Sequence, residues 1–227
     1  MTRTIRKEDV EFPIALYPRN VESREEWDRY WQGKSLRGGL PWQSWKAQFA
    51  PWMRVFRKRG LSSILFLGNG MSPEPQLFAY AGFQSTSLEL SRVANEQAAA
   101  WTFPRHSEDN CPLCQSQEVC WFSTVEQPSG KSTFVTGDFL NPHLCPGPFD
   151  AVVIRRTLHL FDSQKMHEVL RRVRERLRPG GVFVAEIHKD QKAYQLLRSL
   201  VPRYQWLLRE ESQADSYRWT ADLLFTS

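Results

Sequence analysis

Between Ser63 and Ser91 the hydrophobic pattern changes its period twice. Ile64 to Leu67 is a short, continuous apolar run of the kind needed by a strand buried on both faces, and Gly68 and Gly70 interrupt it at once. Leu77, Phe78 and Ala81 then recur at helical spacing, which predicts a helix opening around Pro73 and Glu74 and ending at Gly82. A second strand is expected over Thr86 to Leu90. Further strand-forming segments follow in GKSTFVTGDF, PFDAVVIRRTLHLF and LRPGGVFVAEIH. Phe149 and Asp150 lead into a strand from Ala151 to Ile154, and Arg178 to Gly181 turn into a strand from Val182 to Ile187. Strands alternating with helices predict an α/β domain built on a parallel sheet.

The first strand-turn-helix unit carries the first candidate chemistry. Glycines at Gly68 and Gly70, with Asn69 between them, let the chain turn sharply and let a ligand approach the backbone without a Cβ in the way. The amides opening the next helix then face a polar or anionic ligand. Glu89, followed by Leu90, stands at the end of the second strand, where a carboxylate accepts two hydrogen bonds from a ribose diol. A GxG turn alone also occurs for steric reasons; the acidic residue one strand later is what points to a nucleotide-type cofactor.

Taken together these segments resemble the class I S-adenosylmethionine-dependent methyltransferases, from about Ser63 to the C-terminus, with LRPGG before a strand as the most recognisable piece. The resemblance implies a Rossmann-like sheet of seven strands whose last strand inserts antiparallel, here formed around Tyr204 to Arg209 and Tyr217 to Phe225. It also implies S-adenosylmethionine as cofactor, with Asp138 in TGDF at its adenine end and Phe139 packing on the ring. The N-terminal EEWDRYWQGKS, followed by Pro41 and Trp42, is similar to the lid of the thiopurine and halide or thiol methyltransferases. In that group such aromatics close over the cofactor, which makes residues 1–60 a helical lid segment and Trp27 and Trp31 cofactor contacts. The same two tryptophans, four apart, equally make a simple packing stripe. Like the thiopurine group, this chain lacks the usual acid of the first strand and has Phe66 in its place. Arg155 matches the group's arginine after the fourth strand, implying contact with the cofactor or an anionic substrate group. Ile154 departs from the acid that precedes it there, and Ser72 stands in place of a third glycine.

Composition narrows the setting. At 227 residues the chain suits a single domain, 1–227, with an insertion, and its net charge of +5 is moderate. Basic residues gather at Arg54, Arg57, Lys58 and Arg59 and again at Arg171, Arg172, Arg174, Arg176 and Arg178. Such runs are usually solvated faces, and without an RNA-binding module they argue against nucleic acid as a partner. No apolar run reaches the length of a membrane span, and MTRTIRKEDVEF lacks the apolar core of a signal peptide, so a cytoplasmic protein acting on a small molecule is expected.

The insertion from Trp101 to Lys131 holds three of the four cysteines. Cys111 and Cys114 form a CPLC turn whose spacing lets both thiolates reach one tetrahedral metal. Cys120 is a third candidate ligand, with His106, His143 or Cys145 as the fourth. A structural zinc would explain how a polar, proline-containing insertion folds with little core of its own. A redox pair or incidental cysteines are the alternatives. For the chemistry itself, His159 and His188 are candidate general bases if the acceptor is a protonated oxygen or nitrogen; thiolate or halide acceptors need none.

Overall fold

Strand β1 (Ser63–Leu67) shows how the pattern becomes a sheet. Its residues Ile64, Leu65, Phe66 and Leu67 are all at most 2% exposed, and they divide by parity between two cores. Ile64 and Phe66 pack on one face with Phe49, Met53, Phe56, Leu77 and Phe78. Leu65 and Leu67 pack on the other with Met166, Val169, Leu170, Val173, Leu197 and Leu200. A strand apolar at every position is thus covered by helices on both sides.

In this computed structural model the described residues are 23–34, 49, 52–101, 130–187 and 191–200, with the backbone of 206–212 and 219–225. The remaining strands are β2 (Gln84–Glu89), β3 (Lys131–Thr136), β4 (Phe149–Arg155), β5 (Leu177–Ile187), β6 (Trp206–Ser212) and β7 (Trp219–Phe225). They lie in the order β3-β2-β1-β4-β5-β7-β6. The first five run parallel, and β7 pairs antiparallel with both β5 and β6. The described helices are α1 (Arg24–Gln32), α2 (52–58), α3 (Glu74–Tyr80), α4 (Arg92–Ala99), α5 (Ser163–Arg176) and α6 (Gln191–Leu200). None is long and apolar enough to cross a membrane.

Two expectations shift in detail. The LRPGG segment does not precede its strand but is a bulge within it: Leu177 pairs with Phe149 and Val182 with Ala151, leaving Arg178 to Gly181 opposite Asp150. Gly180, at φ +73°, makes the bulge feasible. Asp150 anchors it, because its Oδ2 accepts from the N–H groups of Ser62 and Ser63 at 2.6 and 2.9 Å while Oδ1 pairs with Arg178 Nε at 2.9 Å. Burial opposes ionisation of Asp150, but those bonds and the arginine hold its carboxyl below the ordinary range.

Phe66, in the position of the missing acid, contacts Phe78 at 5.3 Å between ring centroids within the aromatic core. A carboxylate there would be desolvated among phenyl rings.

The arginine run before β5 is not one basic face. Arg171 and Arg172 pair with Glu175 at 2.6 and 2.9 Å, and Arg178 belongs to β5. Arg176 is 2% exposed and lies on the same side of α5 as Met166, Val169 and Val173. Its guanidinium donates to the carbonyls of Asn141, Leu144 and Cys145 at 2.9, 3.1 and 3.1 Å, tying down the loop between β3 and β4.

Candidate functional site

The site forms where β1 and β2 end. Gly68 (φ +63°) donates its N–H to Leu88 O at 3.0 Å, and its own carbonyl accepts from Thr157 Oγ1 at 3.0 Å. A Cβ on Gly68 would fall 2.8 Å from the Thr157 methyl, so the glycine is required by conformation and by contact. Asn69 Nδ2 donates to Ser72 O at 2.7 Å and closes the turn that leads into α3. Gly70, also left-handed at φ +57°, lies under the indole of Trp31, and a Cβ there would come within 2.9 Å of the ring.

Glu89 is 6% exposed at the tip of β2. Its Oε2 accepts the Gly70 N–H at 2.7 Å and its Oε1 the Ser91 N–H at 3.0 Å. Burial pushes its carboxyl above the ordinary glutamate range, against the pull of these two amides. Each carboxylate oxygen has two lone pairs, so an acceptor position remains on both oxygens after the backbone bonds are made. That is the capacity a ribose diol requires, and by this test the residues fit the cofactor. Gly137 N–H bonds Glu89 O at 2.9 Å, which brings the start of the next loop beside it. In that loop Asp138 is exposed and accepts the Leu140 N–H at 2.8 Å. Phe139 is 7% exposed and meets Phe161 edge-on at 5.8 Å, its ring packed into the main core. Leu90, half-buried, follows Glu89 directly.

Helix α1 covers this turn from outside the sheet. Ser23 caps it, its Oγ accepting from the Glu26 N–H at 3.3 Å. Trp27 and Trp31 stack with centroids 6.4 Å apart, and with Tyr30, Met71, Val93 and Ala94 they form a small separate cluster. Packing stripe and contact with the glycine turn are therefore the same surface. The Trp31 Nε1 proton is buried without a hydrogen-bond partner, an orphan donor beside Gly70.

Arg155 lies at the end of β4 and is held by carboxylates from two directions. Its guanidinium pairs with Glu74 at the start of α3 and, at 2.7 Å, with Glu186 on β5. It also stacks 4.7 Å over Phe49 and 5.8 Å from Trp52. Arg156 adopts φ +53° and pairs with Glu186 at 3.3 Å. Glu74 and Glu186 are the residues the sequence reading missed; an acidic helix start and an acid in LRPGGVFVAEIH were visible, but their convergence on one arginine needed the sheet order. Ile154 is a core residue.

Of the other sequence candidates, His159 is half-buried in the 3-10 turn Leu158–Leu160, and His143 is exposed. Cys145 is half-buried at φ +49°, its carbonyl occupied by Arg176. His106, Cys111, Cys114, Cys120 and His188 lie outside the described residues. Among the described residues no group of three metal-ligating side chains converges.

Comparison with known proteins agrees with this geometry. Residues 67–185, more than half of the chain, match the model of the methyltransferase domain. No curated protein sequence matches the chain significantly. Among solved structures the chain is similar to magnesium protoporphyrin IX methyltransferase from Synechocystis with bound SAM. The TM-score is 0.57 and the identity 12%, over 89% of this chain and 91% of that one. It is also similar to the methyltransferase domain of bacterial CtHen1, with a TM-score of 0.56 and 12% identity over 79% and 97% of the two chains. A structure described as converting a disulfide bond into a thioacetal group during echinomycin biosynthesis superposes with a TM-score of 0.54 and 16% identity, over 89% and 93%. At these identities the superpositions speak for the fold, and the domain match speaks for the family. The chain belongs to the methyltransferase-domain family and shares the fold of the methyltransferases on which it superposes.

Proposed function

We propose that this protein methylates a small-molecule acceptor, holding the cofactor between the Gly68–Gly70 turn, Glu89 and a lid formed by α1. The observation that carries the reading is Glu89: a buried carboxylate, fixed by two backbone amides at the tip of β2, with one acceptor position left on each oxygen. When bound, S-adenosylmethionine supplies a methyl group on a sulfonium, ready for in-line displacement. The protein's part is to position the reactants and exclude water. Glu89 takes the ribose hydroxyls, and the Gly68, Asn69 and Gly70 backbone admits the amino-acid portion. Asp138 and Leu90 flank the adenine. Trp27 and Trp31 close the outer side, as the N-terminal resemblance to the thiopurine and halide or thiol group suggests. Arg155 serves the site through Glu74 and Glu186, which it locks to the ends of β4 and β5.

Small-molecule methyltransferases among the structural neighbours support the choice of acceptor class, as does magnesium protoporphyrin IX methyltransferase by its name. The pairing of Arg171 and Arg172 with Glu175 and the burial of Arg176 weigh against a phosphate-binding helix face. A structural zinc held by Cys111, Cys114 and Cys120 would supply the folding energy that the polar insertion 101–131 lacks in apolar residues.

A second reading, cofactor binding without turnover, is favoured by Arg155, because the two carboxylates already engage the fork that would grip an anionic acceptor. Calorimetric titration with S-adenosylmethionine and S-adenosylhomocysteine, followed by a turnover screen with thiols, halides and heteroaromatics, separates the readings. Micromolar binding with turnover supports the enzyme on small molecules. Binding without turnover on any acceptor supports the second reading, and no binding of either nucleoside removes the cofactor assignment.

A further inference from the structure

One residue of α1 reaches the cofactor carboxylate through a closed circuit of contacts. Asp28, between Trp27 and Trp31, accepts from Ser91 Oγ at 2.6 Å and from the Val93 N–H at 3.1 Å, both through Oδ1. Ser91 is 0% exposed and caps α4, its Oγ accepting the Ala94 N–H at 3.1 Å, so its hydroxyl proton is committed to Asp28. The backbone N–H of the same serine goes to Glu89 Oε1 at 3.0 Å. Glu89 Oε2 holds Gly70, and Gly70 lies against Trp31, which returns the path to α1. A parallel tie, Gln97 Nε2 to Trp31 O at 3.4 Å, joins α4 to the end of α1.

The arrangement of charge fits the same purpose. Asp28 lies at the amino end of α4, where a carboxylate faces the unpaired amides of the first turn and the positive end of the helix dipole. Burial works against its ionisation, but the Ser91 and Val93 bonds, with Arg24 at 3.7 Å, keep its carboxyl below the ordinary range. Asp28 is therefore charged at neutral pH and bonds as an anion.

We propose that Asp28 is a positioning residue for the cofactor site: by seating α1 on the start of α4 it fixes Ser91, and through Ser91 the Glu89 carboxylate, so that docking of α1 and recognition of the ribose act as one cooperative unit. The proposal rests on Glu89 as the ribose acceptor. Its own content is that α1 does more than shield the ligand. An undocked α1 would leave the Ser91 hydroxyl and the Val93 amide to water and let Glu89 rotate, which lowers affinity before Trp27 or Trp31 touches anything.

The test is titration of the full chain with S-adenosylhomocysteine in the wild type, Asp28→Ala, Asp28→Asn, Glu89→Gln and the Asp28→Ala/Glu89→Gln double variant, with thermal unfolding of each without ligand. Asp28→Ala is expected to weaken binding by about 5- to 150-fold, the usual range for coupled sites. Asp28→Asn should fall between wild type and Asp28→Ala, because its amide oxygen still accepts from Ser91 and Val93 but without the charge. The double variant should bind no worse than Glu89→Gln alone, the non-additivity expected when two residues act through one path. A residue that merely stabilised α1 would lower the melting temperature yet leave affinity additive. Wild-type affinity in Asp28→Ala, or strictly additive losses, would overturn the proposal. Failure of the wild type to bind at all would instead remove the Glu89 reading on which it stands.

Discussion

Replacing Glu89 by glutamine tests the site with the smallest change of shape. The carboxylate serves two backbone donors on different oxygens, Gly70 at 2.7 Å and Ser91 at 3.0 Å. An amide has one acceptor oxygen, so in either orientation its NH2 faces one of those N–H groups. One buried bond is lost and a donor is left unsatisfied, a cost of about 1–3 kcal/mol to the folded state. For a domain of this size that lowers the melting temperature by roughly 2–10 °C. Ligand binding suffers separately. Hydrogen bonds to an ionised acceptor contribute about 1.5–3 kcal/mol each, so halving the ribose acceptors should weaken S-adenosylhomocysteine by about 10- to 100-fold. The pH dependence supplies an independent sign. Because burial raises the Glu89 carboxyl above its unfolded value, the native state holds this proton more tightly than the unfolded chain. Stability from this group therefore falls as pH rises from the ordinary glutamate range through the raised native value. Ribose hydroxyls donate to the ionised form, so affinity should fall as pH drops through that same native value, and both trends should vanish in Glu89→Gln. Circular-dichroism melts and calorimetric titrations across pH 4–8 measure both. A variant that melts within a degree of wild type and binds the nucleoside unchanged would refute the reasoning.

Two further outcomes follow from the packing and one from the cysteine spacing. Gly70→Ala places a methyl 2.9 Å from the Trp31 ring at φ +57°, adding about 1–2 kcal/mol of backbone strain and displacing α1; calorimetry should show weaker cofactor binding, with a red-shifted tryptophan emission. Arg155→Ala takes the guanidinium away from buried Glu74 and leaves Glu186 its 3.3 Å pair with Arg156; it should cost about 3–5 kcal/mol in chemical unfolding. For the cysteine insertion, elemental analysis of protein purified without chelator should find close to one zinc per chain, lost on combined replacement of Cys111, Cys114 and Cys120 by serine; metal-free protein would sink the zinc reading.

Much of the scaffold was legible because burial on both faces leaves a strand no polar positions. Ile64 to Leu67 and Ala151 to Ile154 could be read as continuous apolar runs, and each occurs inside the sheet. Glu89 was legible by its place instead, an acid at the end of the strand that follows the glycine turn and its helix. Arg176 was hidden by its neighbours. Among arginines at 171, 172, 174 and 178 it reads as one more surface charge, although it extends the apolar row of Met166, Val169 and Val173. That continuation was the available signal, and periodicity ignored it because a guanidinium scores as polar whatever it bonds to. Asp28 carries no signal of its own, since its partners lie on α4 and only the docking of α1 brings them together.

The Arg176 anchor has a consequence for how this protein can change. Its guanidinium grips Asn141, Leu144 and Cys145 by carbonyls alone, a group every amino acid possesses. The loop that carries Asp138 is thus tethered by its main chain, with Asn141 Oδ1 accepting the His143 N–H at 3.0 Å and Leu144 packed against the main core as further side-chain ties. Variation at the exposed Pro142 and His143 side chains leaves the three carbonyl anchors in place, whereas a change at the one arginine removes all three at once. A directed library aimed at new acceptors should randomise the exposed positions between the anchors and leave the tether alone.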